Sequence, residues 1–191
     1  MNMEYVVPVG SMVYDFIICE KCFQNSPYFR RKCPNLTFDT LAYHSTLDDT
    51  VFNDIIYRLC MATMGYSEKK RAKVLLDFFK LNFQYKTDKE HFGTDEFWEF
   101  PVDFFFDKCG DCDGFALAYT HIAIKLGLKA RPVVVKGGHM AVEITKYNGK
   151  TFYVNPPTGK FIKVSEGDIL HKSTQKYPSP EFKASLERYV V

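Results

Sequence analysis

The stretch Cys109-Gly110-Asp111-Cys112-Asp113-Gly114-Phe115-Ala116 decides the fold, because it joins a loop to a strongly periodic helix. Apolar residues then recur at the spacing of one buried helical face, at Phe115, Ala118, Tyr119, Ile122, Ala123 and Leu126. Gly127 is a typical helix end. The pattern predicts Cys112 in the first turn, where unpaired N–H groups and the helix dipole favour a thiolate. The alternative is a small buried cysteine of no chemical role.

Composition predicts an ordinary globular protein. The chain has 191 residues, 46% of them hydrophobic, which is enough for one sizeable core. Its 25 basic and 23 acidic residues are interspersed, so we expect no nucleic-acid partner. Glu4 stands where a signal peptide would be basic, and no apolar run approaches the ~20 residues that cross a bilayer. We therefore expect a cytoplasmic protein without a membrane partner, with export by another route left open, and cysteines that are thiols.

The first part of the chain carries a cysteine pattern. Possible strands at residues 5–7 and 14–18 precede Cys19 and Cys22, and Cys33 and His44 follow. These four residues indicate a zinc site as one alternative, although the second closely spaced ligand pair of a structural zinc site is missing.

The pattern of apolar residues predicts helices first and strands afterwards. Residues 48–64 and 67–85 are predicted as two amphipathic helices, 86–96 as a polar loop and 97–106 as an aromatic segment. The aromatic segment is either core or a wall beside the thiol. Strands are predicted at 131–135, 139–145, 151–155 and 161–164, and a last helix at 179–189. Asn148-Gly149 is a strong hairpin turn. The order indicates an α+β fold with an antiparallel meander.

Three polar residues in this layout are able to meet. Cys112 is predicted at a helix start, His139 at the head of one strand and Asn155 at the end of the next. Adjacent antiparallel strands bring His139 and Asn155 within about one strand spacing. A cysteine whose pKa is lowered by a helix terminus and an imidazolium, with a third group orienting the ring, is the arrangement of thiol catalysis.

At these residues the chain resembles the transglutaminase-like, papain-related cysteine peptidase superfamily, and the bacterial transglutaminase-like cysteine proteases in particular. The resemblance covers roughly residues 50–160. Its four blocks stand in the family's order, and Phe97-Trp98-Glu99-Phe100-Pro101 is similar to the Trp and Pro segment upstream of the nucleophile. The blocks are Gly110-Asp111-Cys112-Asp113 with Phe115-Ala116, Leu126 to Arg131, Gly138 to Glu143, and Tyr153 to Thr158.

The resemblance implies a papain/transglutaminase-like core in which Cys112 is the nucleophile, His139 the general base and acid, and Asn155 the residue that orients the ring. Asn155 and the extra proline after it depart from the usual Asp-Pro-Thr. Asn contributes no charge, which makes His139 a weaker base. The backbone N–H of Cys112 is the first oxyanion candidate and Trp98 a second, weaker one. We expect residues 1–47 to be an N-terminal segment of uncertain structure and residues 48–191 the catalytic domain.

The implied activity is hydrolysis of an amide bond in a protein or peptide, with no cofactor and no metal ion. Acyl transfer to an amine and a non-catalytic module of the same fold are the alternatives. A redox pair formed by Cys109 and Cys112 is a further one, against which the absence of a preceding strand counts. His121 is predicted on the solvent face, half a turn around the helix from Cys112, while Asp111 and Asp113 are expected to cap the helix.

Overall fold

The helix that follows the Cys112 turn lies at the centre of the fold. The computed structural model describes residues 2–30 and 49–172. Helix α6 spans Cys112–Lys125, and within those residues it follows five other α-helices. Gly127 ends it with a φ of 77°, the left-handed conformation in which glycine carries no steric cost. Every side chain from Asp113 to Ala123 is buried, so the helix is enclosed on all sides.

The helices before α6 agree with the predicted ones, with shorter bounds. A 3-10 turn at Thr50–Phe52 leads into α2 at Asn53–Ala62, and α3 spans Glu68–Asn82. The second helix ends earlier than predicted because Phe83 is extended, and the two-residue strand β3, Gln84–Tyr85, pairs in parallel with β4, Cys109–Gly110.

The segment predicted as a polar loop contains a helix, and that prediction was wrong. Helix α4, Asp88–Phe92, begins at a capping box in which Thr87 and Glu90 exchange hydrogen bonds, and ends at Gly93. The Thr-x-x-Glu spacing is a readable signal for such a start. The aromatic segment forms α5, Pro101–Asp107, with proline at its first position.

The sheet confirms the predicted meander and adds one strand. β5 (Lys129–Val135), β6 (His139–Thr145), β7 (Thr151–Asn155) and β8 (Lys160–Ile162) are consecutive antiparallel neighbours. β9 (Ile169–Lys172) returns to the far edge and pairs with β5, which the sequence pattern does not predict. The predicted helix at 179–189 lies outside the described residues.

The N-terminal residues form a hairpin that shares the core of the chain. β1 (Asn2–Val9) and β2 (Met12–Cys19) are antiparallel and lead into α1 (Glu20–Gln24), so both predicted strands are present and longer than expected. Tyr5 of β1 is fully buried, and its hydroxyl donates to the carbonyl of Phe105 at 2.8 Å. Burial of this hydroxyl is compatible with stability because it has an acceptor.

Helix α6 packs on β5 and β6 and thereby sets the two faces of the sheet. Met140, Val142 and Ile144 belong to the same hydrophobic core as the helix. His139, Ala141 and Glu143 alternate with them and lie on the opposite face, as the period of two requires. Within residues 2–30 and 49–172, no helix combines the length and apolar character needed to cross a bilayer.

Candidate active site

Cys112 is the first residue of α6, and a local cap sets its position. Asp111 precedes the helix in extended conformation, and its Oδ1 accepts the backbone N–H of Asp113 at 2.9 Å and of Gly114 at 3.4 Å. These are donors that a helix start leaves unpaired. The predicted capping role of Asp111 is confirmed. The Cys112 side chain is partly buried and packs at the edge of the core.

The environment of the thiol differs from the expected one. Burial raises the pKa of Cys112 to about 11, although the backbone N–H of Met140 donates to the sulfur and opposes this shift. The charges of Asp111 and Asp113 raise the pKa further. The prediction of a lowered pKa was therefore wrong for the free site, because removal from water and two flanking carboxylates outweigh the helix terminus. At neutral pH the thiol keeps its proton unless a base accepts it.

The Cys112 thiol lies near the backbone N–H of Met140 at the head of β6, and Met140 is the residue after His139. The Nε2 atom of His139 is buried and makes no hydrogen bond to any described residue. The Oδ1 atom of Asn155, at the end of β7, is likewise buried and unpartnered within the described part of the chain. The two atoms do not hydrogen-bond each other in the structure, so the pairing of His139 with Asn155 stays a prediction.

The register of the sheet determines how His139 and Asn155 are related. β6 and β7 pair Val142 with Val154 and Glu143 with Tyr153. One further step in this register puts Asn155 opposite Ala141, on the face that carries His139. The two residues are diagonal neighbours, for which Cα atoms lie roughly 7 to 8 Å apart. The Cys112 thiol thus lies near the start of β6, and His139 and Asn155 share one face of the sheet. The contact between Cys112 and His139 stays a prediction.

Trp98 is engaged in a local interaction. Its indole N–H donates to the carboxylate of Glu96, two residues before it. The roles of the Trp98 indole and of the Cys112 backbone N–H as oxyanion donors stay predictions.

A group of buried carboxylates lies on the helix side of the site, and sequence reasoning missed it. Burial is the largest cause in each case: it raises the pKa of Asp88 and of Asp103 to about 6, and raises the pKa of Glu99 and of Asp113 well above the ordinary values. Glu99 and Asp103 interrupt a run of aromatic residues, and that interruption is the signal that could have revealed buried acids.

Glu99 also explains two glycines of the Cys112 turn. Its Oε1 atom lies so close to Gly110 and Gly114 that a β-carbon at either position would overlap it. Phe104 is the next neighbour at both positions. The turn that carries Cys112 thus packs directly on the Glu99 carboxylate, and a side chain at Gly110 or Gly114 would displace that carboxylate.

The sheet side of the site holds a carboxylate in a different state. Glu143 is 1% exposed and accepts hydrogen bonds from Arg131 Nε at 2.7 Å and from the Tyr153 hydroxyl at 2.9 Å. Lys172 of β9 pairs with it at 3.1 Å. Burial alone would raise the pKa of Glu143, but the bonds from Lys172, Tyr153 and Arg131 outweigh it and lower that pKa.

The predicted position of His121 was wrong. The side chain is 2% exposed, and its ring lies 4.6 Å from that of Phe52. The helical pattern alone assigned this residue to a polar face, but α6 is covered on every side, so no solvent face exists.

The structure describes two of the four residues of the predicted zinc cluster and both cysteines of the predicted redox pair. Cys19 and Cys22 are exposed free thiols at the end of β2 and in α1, while Cys33 and His44 lie outside the described residues. Cys109 and Cys112 are both free thiols. Cys109 is buried on β4, where its sulfur contacts the ring of His91.

Comparison with known proteins identifies the fold. Residues 61–154 match the family model of the transglutaminase-like superfamily. The chain is similar to the structure of Legionella pneumophila LapG, with a TM-score of 0.54 and 18% identity over 82% of this chain and 99% of that one. EGTA-treated LapG gives a TM-score of 0.51 at 18% identity, covering 82% and 100% of the two chains. Calcium-bound LapG gives 0.50 at 18% identity, covering 80% and 99%.

A search of curated proteins finds no match to this chain. The structural likeness at this level of identity shows the fold alone. The predicted α+β fold, with helices packed on an antiparallel sheet of transglutaminase-like type, is confirmed.

Proposed function

Because residues 61–154 form a transglutaminase-like domain, we propose that the chain is a thiol-dependent amide hydrolase that acts on protein or peptide substrates through Cys112, His139 and Asn155. One observation carries the proposal. The Cys112 thiol, at the start of α6, lies near the backbone N–H of Met140, which lowers its pKa, and Met140 is the residue that follows His139. This proximity supports a proposed nucleophile and a proposed base that act together although they come from distant parts of the chain.

The proposed reaction begins with transfer of the Cys112 proton to His139. The thiolate attacks the substrate carbonyl, and the backbone N–H of Cys112 stabilises the oxyanion. His139 returns the proton to the departing amine, which leaves an acyl-thioester on Cys112. A water molecule, deprotonated by His139, then attacks the thioester and releases the carboxylic acid and the thiol.

The raised pKa of Cys112 means that the proposed reaction needs His139 to remove the thiol proton. A thiol with a pKa of about 11 supplies little thiolate at neutral pH, so attack requires a base within reach of the proton. In the structure Asn155 Oδ1 is buried and makes no hydrogen bond to a described residue. The proposed mechanism assigns it the proton of the other imidazole nitrogen once substrate is bound. Since Asn155 is neutral, it orients the ring without adding charge.

The alternative reaction is transfer of the acyl group to an amine. Water at about 55 M outcompetes an amine at millimolar concentration unless a dedicated amine pocket exists. We therefore expect a free carboxylate as the product. The test is mass spectrometry of products from a broad peptide library offered with excess lysine-like amine. Amine adducts that dominate over carboxylates would assign transfer instead.

The first experiment is trapping with a tagged electrophilic peptide, followed by identification of the labelled residue. We expect label on Cys112, none in Cys112→Ala, and unchanged labelling in Cys60→Ala, because Cys60 is an exposed free thiol outside the proposed triad. Equal labelling of Cys60 and Cys112, with no Cys112-dependent product from the library, would assign a non-catalytic module.

The mechanism uses no metal ion, so we expect activity to survive EGTA. The calcium-bound form of LapG makes calcium the ion to add back in this assay. A strict calcium requirement would contradict the ion-free mechanism and would direct attention to Asp111 and Asp113, the two carboxylates that flank Cys112.

A further inference from the structure

We propose that His91, Glu99, Asp107 and Cys109 bind a divalent transition metal ion of the zinc type, at a site separate from the proposed triad. His91 lies on α4, Glu99 precedes α5, Asp107 ends α5, and Cys109 begins β4. None of these residues has a part in the proposed reaction. The site differs from the cysteine cluster that the sequence pattern indicates near the N-terminus.

Three of the four proposed donors lie close together in the folded chain, and the fourth, Cys109, lies beside one of them. One ligand atom each of His91, Glu99 and Asp107 lies within 4.8 Å of the other two. His91 Nε2 is 3.4 Å from Asp107 Oδ2 and 3.7 Å from Cys109 Sγ. Ligands bound tetrahedrally to zinc at ordinary bond lengths lie roughly 3.3 to 3.6 Å apart. His91 and Asp107 already lie at this spacing. The Cys109 sulfur lies beside the His91 ring, 3.8 Å from Nδ1 and 3.7 Å from Nε2, so it would reach the ion through a change of its own side-chain rotamer.

Glu99 supplies a second, independent observation. The residue is 3% exposed, and its Oε2 atom is buried without a hydrogen-bond partner among the described residues. A buried carboxylate oxygen without a donor is costly, because it has lost its water and gained nothing in return. A metal ion beside His91 and Asp107 would supply the missing partner.

The chemistry of the donors selects the class of ion. An imidazole nitrogen and a thiolate favour zinc or a similar transition metal, whereas calcium and magnesium prefer sites made of oxygen alone. Binding would release the thiol proton of Cys109 to solvent, since the thiolate is the ligand. The buried, inward position of Cys109 fits a ligand better than a redox partner.

Arg30 supports this arrangement from outside. Its guanidinium forms a bidentate pair with Asp107, with Nη1 at 2.6 Å from Oδ2. Such a bond fixes the orientation of the carboxylate and leaves a lone pair for a metal. Three anionic donors then face one guanidinium and one divalent cation, so the formal charge of the buried group is balanced.

The site would have a structural role. Its four donors all come from residues 91–109, the segment that leads to the Cys112 turn, and Glu99 also touches Gly110 and Gly114 of that turn. A bound ion would hold α4, the end of α5 and β4 together beneath the turn. Because binding favours the folded state, the ion would stabilise the chain without taking part in the reaction.

The experiment uses the full chain, freed of metal with a strong chelator and titrated with zinc and with cobalt(II). We expect one ion per chain, a thiolate-to-cobalt absorption band, and a rise in Tm of roughly 5 to 10 °C at zinc 100-fold above Kd. The band and the rise in Tm should disappear in Cys109→Ser and in His91→Ala, and zinc should bind at least 10-fold more weakly in Glu99→Gln.

Matched controls separate this site from other thiols. Cys60→Ser, the double variant Cys19→Ser/Cys22→Ser and the exposed Glu96→Gln should all bind as the unaltered chain does. Should His91→Ala fail to fold, Cys109→Ser and Glu99→Gln decide. Absence of binding in the unaltered chain, or binding lost only in the Cys19/Cys22 variant, would overturn the proposal. None of these readouts depends on hydrolysis, so failure here is distinguishable from failure of the proposed function.

Discussion

Glu99 and Glu143 are two almost completely buried glutamates in opposite electrostatic states. Glu99, on the helix side, has an unpartnered oxygen and other carboxylates around it, and its pKa is raised. Glu143, on the sheet side, is surrounded by Arg131, Tyr153 and Lys172, and its pKa is lowered. Burial is nearly equal, so the partners decide the difference. A buried carboxylate with cationic partners stabilises the fold, whereas one without partners is expected either to be protonated or to bind a cation.

The proposed triad is divided between these two regions. Cys112 belongs to the acidic helix side, whereas His139 and Asn155 belong to the sheet whose outer face Glu143 organises. The helix side supplies a thiol that keeps its proton, and the sheet side supplies the groups that would remove it. Variants on the two sides should therefore affect different properties.

The largest effect is expected from Cys112→Ala. Loss of the nucleophile should reduce hydrolysis by at least about 10³-fold, because no other group on the helix side replaces the thiol. The side chain lies at the edge of the core, so the free energy of unfolding should change by less than about 1 kcal/mol. Steady-state kinetics and urea denaturation measure the two quantities. Joint loss of folding and activity would identify Cys112 as a structural residue.

On the sheet side, Asn155→Ala should lower kcat by about 10 to 10³-fold, since an orienting residue matters less than the nucleophile. Asn155→Asp should stay active and move the basic limb of the pH profile upward, because a carboxylate stabilises the imidazolium. The pH dependence of kcat/KM distinguishes the two variants. If Asn155→Asp folds but is inactive, the amide NH₂ group of Asn155 has a role of its own.

The two glutamates themselves should respond differently to loss of charge. Glu143→Gln leaves Arg131 and Lys172 without their anion and should destabilise the chain by about 2 kcal/mol. Glu99→Gln, measured in chelator, should cause no loss, because burial and the neighbouring carboxylates already disfavour the charged form of Glu99 that the amide cannot adopt. Urea denaturation of both variants compares them directly. Equal losses would mean that Glu99 has a partner comparable to those of Glu143.

The smallest effect concerns pH. Asp88 and Asp103 have pKa values of about 6 in the folded chain, above the ordinary 3.8, so the folded state binds their protons more readily. This contribution to stability is fully present below pH 3.8 and is lost as pH rises through 6. The metal-free chain should therefore be more stable at about pH 5 than at about pH 7, as judged from urea midpoints.

Asp103→Asn should flatten this slope, whereas the exposed Asp95→Asn should leave it unchanged. Glu143 acts in the opposite sense, since its contribution is lost only as pH falls below the ordinary 4.5. A slope that Asp103→Asn leaves unaltered would contradict the assignment of the pH effect to the helix side.

Local sequence was sufficient wherever neighbouring residues decide the structure. The repeat of apolar residues predicted the helix behind Cys112, and Gly127 predicted its end. Asn148-Gly149 predicted the turn between β6 and β7. Helix α4 was not predicted, although its Thr87–Glu90 capping box is a signal contained in the local sequence.

The sequence pattern did not predict some contacts between residues that are far apart in the chain. β9 pairs with β5 at the far edge of the sheet. The residues of a strand do not determine which other strand it pairs with. His121 was assigned to solvent because periodicity describes one helix at a time, while burial depends on everything that packs around it.

The sequence by itself predicted the central helix, the two helices before it and the four-strand meander in their order, because helix periodicity, strand alternation and turn chemistry are encoded within a few residues. It also singled out the three residues of the proposed triad. Only the tertiary structure decided the charge states. It brought Glu99 and Asp88 out of water beside the Cys112 turn, gave Glu143 its cationic partners, and raised the pKa of the thiol instead of lowering it. Desolvation and pairing depend on which distant segments cover a group, and no local pattern contains that information.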